Sequence, residues 1–201
     1  MFDDRNGNLS RDVGEDGLRG FVAYLDRNNN RRRDAGERSA TTGSAGNYQF
    51  SNLAAGTHTV RVVVPSGFRQ TKPPPDGGPH VVTLRPGQAA TDRGFGVTRN
   101  AFVSGTVFRD RDRDGRLDNG EVGLGGRTVF LDADGDGRLD AGEAAATTDS
   151  RGRYTFRSAR PGRVRVRLLL AGSVPTAPSG GVYNLTLANG QTLTGRNFGV
   201  R

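Results

Sequence analysis

Residues 107–132 read VFRDRDRDGRLDNGEVGLGGRTVFLD, and the fold is decided by how the acidic run gives way to the segment after it. Asp110, Asp112 and Asp114 stand at the first, third and fifth positions of a twelve-residue calcium loop. Gly115 stands at the sixth, Asp118 at the ninth and Glu121 at the twelfth. A hard cation with 6–8 oxygen ligands requires this spacing. Alternate residues of a tight loop aim inward, a glycine makes the sharp turn, the backbone carbonyl of Arg116 serves position seven, and the longer glutamate closes the shell. Arg111 and Arg113 fall between ligands and point away. An EF-hand would continue into an amphipathic helix. Here the chain continues as VGLGGRTVFL, glycine-rich and then β-branched and aromatic, so a strand is expected.

The pattern recurs at once in DADGDGRLDAGE (132–143), with Asp132, Asp134, Asp136, Arg138 through its carbonyl, Asp140 and Glu143 as ligands. Two weaker versions lie nearer the N-terminus. DRNGNLSRDVGE (4–15) offers Asp4, Asn6, Asn8, Asp12 and Glu15; DRNNNRRRDAGE (26–37) offers Asp26, Asn28, Asn30, Asp34 and Glu37. In these two, Leu9 and Arg31 stand where the turn glycine belongs, which strains the turn. Sixteen of the 21 acidic residues occupy ligand positions of these four loops, a concentration that solubility alone does not produce.

The loops belong to an internal repeat. Residues 1–37 align with 107–143 at an offset of 106, ATTGSAGNYQF (40–50) aligns with ATTDSRGRYTF (146–156), and VTLRPGQAATDRGFGV (82–97) aligns with LTLANGQTLTGRNFGV (185–200). Two domains are expected, 1–98 and 103–201, joined at about 98–102. The first copy has no counterpart of VSGT (103–106), so it is expected to begin inside its first strand. Within each copy the periodicity is two. In GRVRVRLLL (162–170), Val164, Val166 and Leu168 are expected to face a core while Arg163, Arg165 and Arg167 face water; THTVRVVV (57–64) repeats the face with His58, Val60, Val62 and Val64. FVAYL (21–25), RTVFL (127–131), GNYQF (46–50), GRYTF (152–156) and YNLTL (183–187) are further strand candidates between Gly, Pro, Asn and Asp turns. The reading is all-β, two tandem antiparallel β-sandwiches without EF-hand helices.

Composition narrows the function. The chain has 201 residues, formal net charge +8 and no cysteine, which removes disulfides, a thiol nucleophile and cysteine-based metal sites. No apolar run approaches the roughly 18 residues of a membrane span. Only one of the 29 basic residues, Lys72, is a lysine, and the arginines are spread along the chain, so specific nucleic-acid binding is not expected. No charged-then-apolar leader opens the chain at Met1, so any export signal is expected outside these residues. HExxH, GxSxG and phosphate-loop motifs are absent, and catalysis is not expected.

The ordered series GTVFRDRDRDGRLDNGE, GLGGRTVFLD, TTDSRGRYTF, ARPGRVRV and NFG closely resembles the B-type (SdrD B-like) repeat of serine-aspartate-repeat surface adhesins. The resemblance implies a prealbumin-like, Ig-like sandwich and Ca2+ in each repeat, two ions in the second and up to two more in the first. It also implies neighbouring repeats of a longer surface protein as partners, and an extracellular or cell-surface location. A stiff, non-catalytic stalk is the function implied. Related adhesin domains carry Lys–Asn isopeptide staples. Lys72 sits in TKPPPDGG, read as a loop, which leaves calcium as the staple. The alternative is a carbohydrate- or protein-binding module using the long loops 66–80 and 172–183.

Overall fold

Alternating apolar residues become strands wherever a neighbouring strand can pair with them, as the computed structural model shows for residues 1–74 and 77–201. Pro75 and Asp76, inside the 66–80 segment, lie outside the described residues. The chain divides into units Met1–Arg99 and Asn100–Arg201.

The first unit contains β1 (Phe2–Asp3), β2 (Val22–Leu25), β3 (Ser39–Thr41), β4 (Gly56–Val63), β5 (Arg69–Lys72), β6 (His80–Leu84) and β7 (Gly96–Thr98). One sheet runs β3-β2-β4-β6 and the other β1-β7-β5. The second unit contains β8 (Ala101–Arg109), β9 (Thr128–Asp132), β10 (Ala145–Thr147), β11 (Arg153–Ala159), β12 (Gly162–Leu168), β13 (Pro175–Ala177), β14 (Val182–Leu187), β15 (Thr192–Leu193) and β16 (Phe198–Val200). Its sheets run β10-β9-β12-β14 and β11-β8-β16-β13, with β15 beside β8. The only helical element among the described residues is a 3-10 turn, Ser179–Gly181.

Each core lies between two sheets. In the second unit Val129, Val166, Leu168 and Leu187 meet Val103, Val107, Tyr154, Phe198 and Val200; in the first, Leu25, Val60 and Val62 meet Phe95 and Val97. Tyr154 packs between Phe156 and Phe198, and its hydroxyl donates to the Arg196 carbonyl at 2.5 Å. Tyr48 repeats this with Phe50, Phe95 and the Arg93 carbonyl, and burial pushes its phenol up to about 12. Thr42 and Thr148, buried, each donate a hydroxyl hydrogen bond to a carbonyl 24 residues earlier, Leu18 and Leu124.

Several expectations need correction. One sheet in each unit is mixed rather than antiparallel, because β1 runs parallel to β7, and β8 parallel to β16 and β15. Side-chain alternation reports faces, not strand direction. GNYQF (46–50) is not a strand, although GRYTF lies in β11. Tyr154 and Phe156 of β11 pair with Gly105 and Val103, whereas β1 supplies only Phe2–Asp3. The segments read as loops 66–80 and 172–183 each hold a strand, β5 on β7 and β13 on β16, and Lys72 closes β5. Arg69, Gln70 and Thr71 are buried there, so the Pro/Gly-rich flanks concealed a polar but buried strand.

Two of these packed rings give measurable outcomes. Phe198→Ala, removing a ring at 0% exposure, lowers unfolding free energy in urea by about 3–5 kcal/mol. Burial against Phe95 holds the His80 imidazole below its ordinary value of 6.5 despite its hydrogen bond to Gly94. A depressed folded value means the unfolded chain binds the proton first, so this contribution is complete above pH ~6.5 and is lost as pH falls. The NMR titration midpoint of His80 is expected below 6.5.

Candidate metal centre

All four acidic loops start where a strand ends. Asp4 follows β1, Asp26 follows β2, Asp110 follows β8 and Asp132 is the last residue of β9; their exposures are 0%, 2%, 2% and 1%. Ladder bonds hold three of these backbones: Asp4 N–H to Val97 O, Asp26 N–H to Thr59 O and Asp110 N–H to Val200 O, at 2.8–3.0 Å. Asp132 sits opposite Arg165. A carboxylate buried in this way must be hydrogen-bonded or ion-paired.

The loop supplies much of that. Leu9 and Arg31 N–H donate to Oδ2 of Asp4 and Asp26 at 3.1 Å, and Gly115 N–H to Oδ2 of Asp110 at 3.0 Å. Gly135 N–H donates to Oδ1 of Asp132 at 2.6 Å. The backbone path is common to all four. Position four is left-handed in Gly7, Asn29, Arg113 and Gly135, and position eleven in Gly14, Gly36, Gly120 and Gly142. Position six is left-handed in Gly115 and Gly137, and also in Leu9 (φ 72°) and Arg31 (φ 65°), where a side chain is strained.

The position-twelve glutamate closes every loop. Oε1 of Glu15, Glu37, Glu121 and Glu143 accepts from the position-two N–H at 2.6–2.8 Å, and Oε2 accepts from Asp12, Asp34, Asp118 and Asp140 N–H at 3.0–3.1 Å. Positions three and five turn back on the chain, each accepting from the N–H two residues on; Asp114 and Asp136 hold Arg116 and Arg138 in this way.

The chemistry then diverges. In the second unit, carboxylate oxygens of Asp110, Asp112 and Glu121, of Asp112, Asp114 and Asp118, and of Asp132, Asp134 and Asp136 gather within 4.8 Å of one another. Asp118 is pushed above the usual carboxylate range by Asp114 first, then by desolvation, Asp112 and Glu121; Asp140 is pushed up by Asp136 first. In the first unit, neutral amides take that place. Asn6 and Asn8 Nδ2 donate to Asp12 Oδ2 at 2.8 and 2.7 Å, and Asn28 and Asn30 do the same to Asp34, holding its carboxyl below the usual range.

An all-oxygen, carboxylate-rich donor set fits a hard divalent cation in both loops of the second unit. The first unit carries mixed signals. Asp4 Oδ1 and Asp26 Oδ1 are buried without a hydrogen-bond partner, as a cation-facing oxygen would be, while the asparagine amides already satisfy the ninth position.

Two residues at the loops are not legible as loop partners from strand alternation. Arg167, expected to face water, donates from Nε to Asp132 Oδ2 at 2.8 Å, and Arg61 donates to Asp26 Oδ2 at 2.6 Å. A signal is present all the same, since this is the one arginine that both alternating strands share at the 106 offset.

The family model described as the SdrD B-like domain matches residues 1–79 and 101–197. Serine-aspartate repeat-containing protein F of Staphylococcus epidermidis is 29% identical over 213 residues, covering 95% of this chain and 12% of that protein. Serine-aspartate repeat-containing protein D of Staphylococcus aureus (strain Newman) is 28% identical over 208 residues, covering 97% and 15%. The chain thus spans little more than a tenth of these relatives. Among solved structures, the minor pilin of Streptococcus agalactiae is covered to 93% and covers 100% of this chain, at 13% identity and a TM-score of 0.35, too loose a match to bear on function.

Leu9→Gly and Arg31→Gly remove the left-handed strain at position six. Each is expected to raise unfolding free energy by up to about 1 kcal/mol in chemical denaturation, whereas Gly115→Ala lowers it.

Proposed function

The chain belongs to the SdrD B-like domain family, and from that premise we propose that it is a calcium-stabilised structural module. It serves as a stalk or spacer segment in an exported bacterial surface protein, with neighbouring repeats as its partners. The observation that carries this is the crowding of carboxylates in the loops 110–121 and 132–143. Asp110, Asp112, Asp114, Asp118 and Glu121 would hold one ion, with the Arg116 carbonyl. Asp132, Asp134, Asp136, Asp140 and Glu143 would hold another, with the Arg138 carbonyl. Up to two more would use Asp4, Asn6, Asn8, Asp12 and Glu15, and Asp26, Asn28, Asn30, Asp34 and Glu37. The ion supplies charge neutralisation and a rigid link between positions of one loop. The protein's contribution is to fix both loop ends to strands, so loop closure is felt by β8, β9 and β10.

For a site with a dissociation constant near 10 μM, about 1 mM free calcium stabilises the folded state by roughly 2.7 kcal/mol. A non-catalytic role is supported by the histidines. Nε2 of His58 and of His80 is engaged with a backbone carbonyl, of Ala54 and Gly94, rather than with a nucleophile. The strands inside 66–80 and 172–183 favour the structural reading over ligand recognition by those segments.

Thermal melts of the full chain with 1 mM calcium and with EDTA test this. Calcium is expected to raise the midpoint by roughly 10–20 °C, EDTA to reverse the rise, and Asp110→Ala combined with Asp132→Ala to abolish most of it. Identical curves in calcium and EDTA would sink the proposal.

A further inference from the structure

We infer that Arg61 and Arg167 are built-in counter-ions for the second acidic loop of each unit: they hold its anchoring aspartate when no metal is present and oppose the metal when it binds. The inference rests on the calcium proposal for its second half only.

The geometry is the same in both units. Arg61 on β4 reaches Asp26 at 2.6 Å, with side-chain exposures of 13% and 0%; Arg167 on β12 reaches Asp132 at 2.8 Å, with 22% and 0%. In the second unit Asp132 lies opposite Arg165, so Arg167 reaches it along the diagonal on the same sheet face. The guanidinium of Arg167 lies beneath the turn, 3.5–3.7 Å from where a side chain on Gly137 would begin. An arginine held there is packed by the loop it neutralises.

The first loop of each unit is built differently. Among the described residues Asp4 and Asp110 have no ion pair; Leu9 N–H donates to the first, and Arg113 and Gly115 N–H to the second. A buried carboxylate without an ionic partner is costly. In the second unit, where no asparagine amides stand in, the first loop therefore depends on an added cation, while the second already contains one. A dication entering at the other oxygen of Asp132 meets the Arg167 charge a few ångström away. The two loops of the second unit are thus unequal, the loop 110–121 binding calcium more tightly than 132–143.

The test compares Arg167→Gln, Arg167→Lys and Arg163→Gln in the full chain, by melting in EDTA and by calorimetric titration with calcium chloride. Arg163 lies on the same strand face, on the other side of Arg165, and is exposed without a hydrogen bond or ion pair to Asp132. Arg167→Gln is expected to melt lower in EDTA, to recover more on calcium addition, and to bind calcium at one site about tenfold more tightly, the scale of charge-on-dication repulsion across ~6 Å in a watery dielectric. Arg167→Lys is expected to restore most of the EDTA stability, and Arg163→Gln to match the parent chain. The inference is overturned if Arg167→Gln and Arg163→Gln melt alike in EDTA, or if Arg167→Gln binds calcium no more tightly than the parent chain. If the parent chain binds no calcium, the stabilisation proposal fails. The counter-ion role is then decided by the EDTA melts alone.

Discussion

A carboxylate buried at the end of a strand must be compensated, and the acidic loops of this chain are organised around meeting that requirement four times. Asp4, Asp26, Asp110 and Asp132 are each almost fully shielded from water. The chain beyond each of them curls back so that its own N–H groups reach the buried oxygens. Curling requires left-handed residues at fixed places, and position eleven, at φ 86–97°, is glycine in all four loops. It also brings the glutamate at position twelve back to the start of the loop, where it receives two backbone N–H groups. Loop length, glycine placement and the glutamate are consequences of one buried charge.

Two chemistries run on that shared path. In the second unit aspartates at positions three, five and nine face one another, and their mutual repulsion raises Asp118 and Asp140. In the first unit asparagine amides donate to the ninth-position aspartate instead. A change of two side chains per loop replaces a demand for external positive charge with an internal hydrogen-bond network, while one buried oxygen of Asp4 and of Asp26 is left unmatched.

Much of this was legible in the residues. The acidic spacing located all four loops because ligand geometry and side-chain alternation impose the same period. The strand after Glu121 was legible from VGLGGRTVFL, and the repeat located equivalent strands. Strand direction was not legible, since parallel and antiparallel ladders demand the same alternation. The strand Arg69–Lys72 is not legible because its residues are polar and its flanks are rich in proline and glycine. Alternation places Arg167 on the outer face, and only the loop folding down onto that face converts it from a solvated residue to a partly buried partner. Tyr48 and Phe50 show the converse: their apolar pattern is intact and they pack against the core, yet without a paired strand they form none.

The parallel pairing of β8 with β16 joins the first and last strands of the second unit side by side, at Val107↔Phe198, Phe108↔Gly199 and Arg109↔Val200. Tension applied to the two ends of that unit pulls these neighbours past each other along their length. Their hydrogen bonds are loaded together, in shear, rather than opened one at a time as in a hairpin peeled from its end. Asp110 is tied to Val200 O at the edge of this contact, so the loop 110–121 sits directly beyond the bonds that bear the load.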